Sequence, residues 1–388
     1  MAATALNELR KFVAPEFVFG VDARRLAGRY AHRLGGRRIL LVSGPQVAAA
    51  GWTGETEHLL GEAGFQVIRF SGFTPNPRDH QVMVGSRLYL DESCDLIVAV
   101  GGGSAMDCAK GIGIVAANGG SVLDYEGVDQ VPAPMPPLIC IPTTCGSSAD
   151  VSQFAIFTDS QERRKAAIVS KAVVPDVALI DPATLVTLDR QYTACTGLDA
   201  LAHAMEAFVS NAHSPITDLH ALEAIRLLRA NLLDCLEAPL DLERRCAVML
   251  ASLHAGLAFS NASLGCTHAL AHSLGGMLDL PHGECNALLL TAVVEFNFPA
   301  APERYRRVAG AFGLADGGLD DEAFCRQLVA ELKGFCERCG IIPGLTSRGV
   351  RRSDLPSLAV KALRDPCNAT NPRNPGLGDL ESLYTEAM

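Results

Sequence analysis

Apolar residues are spaced differently in the two halves of the chain. The first half contains short apolar runs of the kind that form buried parallel strands, covered on both faces. These predicted strands are residues 38–44, 65–70, 94–100, 138–141 and 177–180. Segments with helical spacing, residues 55–63 and 80–92, lie between them, and residues 154–158 and 165–169 have the pattern of a hairpin. Alternating strands and helices predict an α/β domain with a doubly wound parallel sheet.

The second half has no comparable strand signals. Ala, Leu, Glu and Arg recur there with the periodicity of amphipathic helices. The segments with this spacing are residues 190–235, 241–261, 264–278, 302–314 and 321–339. Proline and aspartate interrupt the chain between Asp181 and Asp189. We therefore predict an α/β domain over residues 1–187 and an all-helical domain over residues 188–388.

Composition narrows the possible partners and the compartment. The chain has 388 residues and a formal net charge of -10. It contains no basic tract, so we expect no nucleic-acid partner and no attraction to anionic membranes. No apolar run reaches the roughly 18 residues of a membrane span, and the N-terminus does not resemble a signal peptide.

The 13 cysteines are odd in number and scattered, which predicts reduced thiols in a cytoplasmic protein. Cys336 and Cys339 form a CxxC pair, but a zinc ribbon needs a second pair. We therefore expect this CxxC pair to lie on a helix surface.

Two loops at predicted strand ends are candidates for binding phosphate. Gly101-Gly-Gly-Ser104 joins a strand to a helix, and glycines let backbone N–H groups approach an anion at a helix N-terminus. Thr143 and Thr144 follow the strand at residues 138–141 and offer hydroxyl groups. Each loop alone could be an ordinary turn or helix cap. Two such loops in one sheet domain favour a dinucleotide site.

The helical half contains a set of candidate metal ligands. Asp199 and His203 are four residues apart and share a helix face, and His268 and His272 repeat this spacing. His282 lies in a Pro-His-Gly segment that we expect to be a loop. A single histidine on an apolar helix is more often a hydrogen-bonded core residue, but matched pairs favour a transition metal. Five groups exceed four tetrahedral positions, and the spacing does not reveal which histidine is not a ligand.

These motifs resemble those of the iron-dependent (group III) alcohol dehydrogenases over nearly the whole chain. The matching segments are Gly101-Gly-Gly-Ser-x-x-Asp-x-Ala-Lys110, Pro142-Thr-Thr-x-Gly146, Gly197-Leu-Asp-Ala-Leu-x-His203, His268-Ala-Leu-Ala-His-x-Leu-Gly275, Pro281-His-Gly283 and Asn371-Pro-Arg373. The resemblance implies a nucleotide-binding α/β domain followed by a helical metal-binding domain, the fold shared with dehydroquinate synthase.

The resemblance also assigns roles to individual residues. The metal ligands would be Asp199, His203, His268 and His282, and His272 would relay a proton beside the nicotinamide. The substrate pocket would include Phe154, Phe259, Leu264 and Cys367. The cofactor-binding residues would be Gly44, Asn76, Gly101, Gly102, Gly103, Ser104, Asp107, Thr143, Thr144 and Lys165.

One position departs from the family pattern. Gly44 stands where members usually have an Asp that binds the adenosine ribose and rejects NADP. The resemblance therefore implies NAD, with NADP tolerated, and Fe²⁺, with Zn²⁺ as an alternative because His and carboxylate suit both ions.

The implied activity is reversible hydride transfer between a short aliphatic primary alcohol and its aldehyde, in a homo-oligomeric enzyme. The alternatives are a polyol or glycerol dehydrogenase, a non-redox lyase or synthase, and a sensor protein of the same fold.

Overall fold

The computed structural model describes residues 9–162, 164–278 and 280–388, which form two compact units. One unit comprises residues 13–188, and the other comprises residues 189–388 together with residues 9–12. The elements of the first unit are β1 (Glu16–Phe19), α1 (Ala27–Arg33), β2 (Arg38–Ser43), α2 (Pro45–Ala49), α3 (Trp52–Glu62), β3 (Gln66–Phe70), α4 (Asp79–Asp91), β4 (Leu96–Gly101), α5 (Gly103–Asn118), β5 (Gly127–Val128), β6 (Leu138–Pro142), β7 (Phe154–Asp159), β8 (Arg164–Val169) and β9 (Val177–Ile180).

The second unit is built from helices. These are α6 (Arg190–Val209), α7 (Pro215–Glu237), α8 (Leu242–Ala262), α9 (Cys266–Leu278), α10 (His282–Asn297), α11 (Pro302–Ala311), α12 (Asp321–Arg338), α13 (Leu355–Leu363) and α14 (Leu377–Glu386). Short 3-10 segments join several of them, among them Pro366–Thr370. The predicted fold class, an α/β unit followed by a helical unit, is confirmed.

The main sheet of the first unit has the order β1-β9-β6-β4-β2-β3, and its strand pairs are parallel. Successive residues of β2 enter different cores: Leu40 packs in one apolar cluster, and Ile39 and Leu41 pack in the other. This alternation explains why the strands read as continuous apolar runs. Gly101 at the end of β4 lies opposite Pro142 at the end of β6, so the loops that follow are neighbours.

The smaller sheet contains the predicted hairpin. β7 and β8 are antiparallel, with Phe154 opposite Val169, and β5 adds a parallel strand beside β8. The sequence pattern missed β5 and β1. β5 has only two residues, and β1 is an edge strand whose first two residues are exposed, so neither has a long apolar run.

Several expectations for the helical half need correction. The predicted helical stretch 190–235 is two helices, since the chain turns at residues 210–214 and Ser214 caps α7 ahead of Pro215. His282 is the first residue of α10 and does not lie in a loop. The pattern also missed α10, α13 and α14.

Two further expectations are wrong in detail. The CxxC pair is not on a helix surface, because Cys336 and Cys339 are only 4% and 3% exposed. Residues 9–12 group with the helical unit and not with the α/β unit: Arg10 donates a hydrogen bond to the carbonyl of His213, and Phe12 stacks on His220. Over the described residues no single helix has the length and hydropathy to cross a membrane; α8 and α9 reach that threshold only as a pair bent by 102°.

Candidate functional site

Four potential ligand atoms meet where α6, α9 and α10 pack together. Asp199 Oδ1 lies 3.9 Å from His203 Nε2, 3.8 Å from His268 Nε2 and 3.7 Å from His282 Nε2. All four atoms lie within 4.8 Å of one another. Gly283 permits this approach, because a Cβ there would lie 2.0 Å from the carbonyl oxygen of Cys195 on α6.

This cluster has the chemistry and spacing of a divalent-metal site. Ligands about 2.1 Å from a tetrahedral ion lie roughly 3.4 Å apart, close to the distances found here. The side-chain nitrogen of Asn286 lies 2.7 Å from Asp199 Oδ1, 3.0 Å from His268 Nε2 and 3.2 Å from His282 Nε2. A hydrogen-bond donor therefore faces the ligand atoms, and its partial positive charge has the same sign as that of a metal cation. The residues fit a metal, and their role as ligands stays a prediction.

The electrostatics of the cluster also favour a cation. Burial tends to raise the pKa of Asp199, but His203, His282 and His268 outweigh it and lower that pKa. Burial lowers the pKa of His282 well below its ordinary value, so this imidazole is neutral and able to ligate. A carboxylate buried among apolar helices needs a positive partner.

Glu206 accepts a hydrogen bond from His268 and is not among the site residues predicted from the sequence. Its Oε2 lies 2.5 Å from His268 Nδ1, and its carboxylate also accepts the backbone N–H groups of Gly265 and Thr267 at the start of α9. A carboxylate on the far nitrogen of a metal-ligating histidine fixes the ring and its tautomer. The available signal was spacing, because Glu206 follows His203 by three residues on the same helix.

Asn286 and Asn371 are two further polar residues of this region. Asn286 follows His282 by four residues, one helical turn along α10. Asn371 lies in the Asn-Pro-Arg segment of the family pattern, and its Oδ1 accepts the backbone N–H of Cys266 and a side-chain N–H of Asn297. Asn371 thereby fixes the N-terminus of α9, which carries His268.

His272 lies beside the cluster and outside the group of four ligand atoms. Its ring stacks on that of His282 with centroids 5.2 Å apart, and its Nδ1 lies 2.8 Å from Asp365 Oδ2. Burial tends to raise the pKa of Asp365, but His272 and the backbone of Cys367 outweigh it and lower that pKa to about 2. His272 Nε2 is buried and has no hydrogen-bond partner among the described residues.

The predicted pocket residues lie in different places. Phe259 stacks on His203 with ring centroids 4.2 Å apart, and Cys367 Sγ lies within 4.8 Å of ligand atoms of His272 and Asp365. Leu264 is buried between α8 and α9, where its carbonyl accepts the hydroxyl of Thr370. Phe154 belongs to the other unit, at the start of β7.

The predicted phosphate loops touch each other at the ends of β4 and β6. A Cβ at Gly102 would lie 2.8 Å from Thr144 Cγ2, and a Cβ at Gly103 would lie 2.9 Å from Ser147 Cβ. Thr143 donates its backbone N–H to the carbonyl of Gly101. The backbone at the start of α5 is thus closely packed against the loop that follows β6.

Three other predicted cofactor residues form a connected group. Lys165 Nζ lies 2.8 Å from Asn76 Oδ1, and the backbone N–H of Asn76 donates to Ser104 Oγ at 3.2 Å. Asp107 follows Ser104 by one turn on α5, and its burial raises its pKa to about 7 in spite of the nearby cations of Lys110 and Lys165.

Gly44 stands at the end of β2, next to β4 in the sheet, and precedes α2. A Cβ there would meet Phe73 at 3.7 Å, an ordinary contact. The backbone angles at Gly44, φ −77° and ψ 161°, suit any residue. Nothing steric therefore requires glycine at this position.

Lys110 belongs to the glycine motif, but its hydrogen bonds hold the protein structure together. It is fully buried on α5, and its Nζ donates to the carbonyls of Ser152 and Phe154 at 2.8 and 2.7 Å. It ties α5 to the start of β7.

Comparison with known proteins gives matches along almost the whole chain. The family model described as "Iron-containing alcohol dehydrogenase" matches residues 14–182, and "Fe-containing alcohol dehydrogenase family, C-terminal" matches residues 193–388. The chain is 38% identical to 1,3-propanediol dehydrogenase of Klebsiella pneumoniae, over 95% of this chain and 96% of that protein. It is 34% identical to NAD-dependent methanol dehydrogenase of Bacillus methanolicus, over 97% and 99%.

A solved structure of 1,3-propanediol oxidoreductase superposes with a TM-score of 0.95 at 36% identity. The match covers 98% of this chain and 100% of that one.

Proposed function

Because this chain belongs to the iron-containing alcohol dehydrogenase family and is an alcohol and aldehyde oxidoreductase, we propose that it interconverts short aliphatic primary alcohols and their aldehydes. The observation that carries the proposal is the cluster of Asp199, His203, His268 and His282, whose ligand atoms lie within 4.8 Å of one another. A Lewis-acid site of this kind is suited to a neutral hydroxyl substrate.

The proposed metal is Fe²⁺, held by Asp199 and the three Nε2 atoms, with Zn²⁺ as the competing ion. A divalent ion supplies stabilisation of negative charge on the alcohol oxygen, and nicotinamide supplies a hydride acceptor. The chain provides the geometry. Glu206 orients His268, and the packing of Gly283 against α6 brings His282 next to Asp199.

The proposed proton acceptor is His272. It is 8% exposed, it contacts His282, and its Nε2 has no hydrogen-bond partner among the described residues. A buried nitrogen without a partner is available to accept a proton from a bound hydroxyl group.

The proposed cofactor is NAD, with NADP tolerated. The glycine loop at residues 101–103 provides backbone N–H groups for the pyrophosphate, and Asn76 and Lys165 provide polar groups for the nicotinamide ribose. The absence of a carboxylate at Gly44 removes the repulsion that would exclude a 2′-phosphate.

The preference for a short, uncharged alcohol is supported by the side chains around the metal cluster. Phe259 covers one face of His203, and Leu264, two residues ahead of α9, is buried. The curated relatives named above act on 1,3-propanediol and methanol, both small primary alcohols, according to their names.

The test is an activity screen on protein purified anaerobically and loaded separately with Fe²⁺ and Zn²⁺. Reduced nicotinamide is followed at 340 nm with methanol, ethanol, propanol, 1,3-propanediol, glycerol and the corresponding aldehydes, each with NAD and NADP. We expect the highest kcat/KM with a monohydric primary alcohol or its aldehyde, Fe²⁺ and NAD. Preference for glycerol would support the polyol alternative, and no change at 340 nm with any substrate would refute the dehydrogenase proposal.

The proposal also covers the cellular compartment and the oligomeric state of the enzyme. We propose that it works in the cytoplasm as a homo-oligomer. Its 13 cysteines are free thiols and most are buried, as suits a reducing compartment. Light scattering of the metal-loaded enzyme tests the assembly, and a monomer at micromolar concentration would refute it.

A further inference from the structure

The two histidines of α9 are held in the same way by two different carboxylates. His268 Nδ1 lies 2.5 Å from Glu206 Oε2, and His272 Nδ1 lies 2.8 Å from Asp365 Oδ2. In both rings Nδ1 therefore carries a proton that it donates to the carboxylate, and Nε2 is the nitrogen turned away from that carboxylate. The two Nε2 atoms differ in their surroundings. That of His268 joins the ligand cluster, and that of His272 stays outside it.

We propose that Asp365 is the positioning residue that fixes His272 in the Nδ1–H tautomer and thereby keeps Nε2 ready to accept the substrate proton. The inference rests on the oxidoreductase function proposed above. A neutral imidazole can accept a proton only at the nitrogen that carries none, so the partner of Nδ1 decides which nitrogen acts. Asp365 is 93 positions from His272 in sequence, and no spacing rule connects them.

Asp365 is itself held firmly. It caps the 3-10 segment Pro366–Thr370, where its Oδ1 accepts the backbone N–H of Cys367 at 2.9 Å. Its own backbone N–H donates to the carbonyl of Ala362 at the end of α13. One carboxylate oxygen is thus fixed by the main chain, and the other faces His272. The tautomer of His272 is linked in this way to a rigid turn.

His272, Asp365 and Cys367 could also be read as a small metal site, since their ligand atoms lie within 4.8 Å of one another. The 2.8 Å separation of Nδ1 and Oδ2 favours a hydrogen bond, because two ligands of one tetrahedral ion lie roughly 3.4 Å apart. The group is therefore a hydrogen-bonded chain that ends on His272.

The variant that isolates the tautomer is Asp365→Asn. The amide oxygen can still cap Cys367, so the turn keeps its hydrogen bond. The amide nitrogen then faces His272 and donates to Nδ1, which must become the acceptor. The proton of the neutral ring moves to Nε2, the nitrogen that the reaction needs free. The substitution conserves volume and cap while reversing the tautomer.

The direct readout is the ¹⁵N NMR spectrum of histidine-labelled full-length protein loaded with diamagnetic Zn²⁺, with His272 assigned by its loss in His272→Ala. We expect the wild type to show a protonated Nδ1 and Asp365→Asn a protonated Nε2. A wild-type His272 protonated at Nε2, or a tautomer unchanged in Asp365→Asn, would overturn the proposal. This readout does not depend on any alcohol being turned over, so it separates a failure of this inference from a failure of the proposed function.

The kinetic readout is a double-mutant cycle on the Fe²⁺-loaded enzyme. We expect Asp365→Asn to lower kcat about 10- to 100-fold with little change in KM or metal content, as for loss of a carboxylate partner of a functional histidine. We also expect His272→Ala with Asp365→Asn to be no slower than His272→Ala alone, because Asp365 acts through His272. Additive losses would assign Asp365 a merely structural role.

Glu206→Gln is the matched control, since it changes the carboxylate of the other α9 histidine. We expect it to lower metal content, and Asp365→Asn to leave metal content unchanged. Loss of metal in Asp365→Asn would contradict the separation of the two carboxylates and overturn the proposal.

Discussion

Glu206 Oε2 lies 2.5 Å from His268 Nδ1, and through this hydrogen bond a residue of α6 orients a predicted metal ligand on α9. Replacing Glu206 with Gln retains the volume and removes the negative charge. We expect the affinity for Fe²⁺ to fall about 10- to 100-fold, because the ring loses the carboxylate that fixes its tautomer and raises its basicity. Metal content after dialysis against graded chelator measures this.

Glu223→Gln is a suitable control for that prediction. Glu223 pairs with Arg226 on the exposed face of α7, and a surface pair of this kind contributes little. We expect its metal affinity to equal that of the wild type. Equal affinities in Glu206→Gln and Glu223→Gln would mean that Glu206 supports only the start of α9.

The sequence was sufficient for five strands of the main sheet and for the hairpin, because buried parallel strands are short apolar runs and the glycine loop follows one of them directly. It did not reveal β1, β5, α1 or α2. It was also sufficient to name the ligand candidates, since Asp199 with His203 and His268 with His272 share helix faces. Without the family resemblance, the sequence could not distinguish the histidines that ligate the metal from the one that accepts a proton. Both kinds of residue fit the same i,i+4 spacing.

The hydrogen-bond partners that could not be predicted from the sequence lie on different elements from the histidines that they contact. Asp365 and Glu206 are 93 and 62 positions from the histidines that they hold. Proline and glycine flank His282 and predict a loop, whereas Pro281 is the N-cap of α10 and His282 is its first residue. A proline just ahead of a helix and one inside a turn look alike until packing is known.

Gly102→Ala tests the contact between the two phosphate loops. A Cβ at this position would lie 2.8 Å from Thr144 Cγ2, so the loops must move apart. We expect NADH affinity to fall about tenfold or more, because the backbone N–H groups at the start of α5 lose their arrangement. Titration of NADH fluorescence measures this.

Gly54→Ala is the matched control for Gly102→Ala. Gly54 lies within α3, and a Cβ there would have no heavy atom within 4 Å among its neighbours. We expect unchanged NADH binding and a gain of about 0.5–1 kcal/mol in the free energy of unfolding, since alanine is the better helix former. If both variants bind NADH like the wild type, the glycine loop is not the pyrophosphate site.

Gly44→Asp tests the proposed tolerance of NADP. The site accepts a Cβ in ordinary contact with Phe73, so the carboxylate can be introduced without strain. We expect kcat/KM with NADP to fall at least tenfold while that with NAD is retained, because the new charge repels the 2′-phosphate. Steady-state kinetics with both cofactors measure the ratio, and Gly44→Asn separates charge from size. An unchanged ratio in Gly44→Asp would place the adenosine ribose elsewhere.

Lys110→Met tests whether this motif residue is structural. Lys110 donates to the carbonyls of Ser152 and Phe154, and burial lowers its pKa while Asp107 opposes that effect. Methionine fills the space but removes the Nζ donor from the carbonyls of Ser152 and Phe154. We expect the free energy of unfolding of the α/β unit to fall by about 2–5 kcal/mol in urea denaturation. Lys333→Met, at an exposed position of α12, should change it by less than about 0.5 kcal/mol. A loss of NADH binding in Lys110→Met without a loss of stability would instead assign Lys110 to the cofactor.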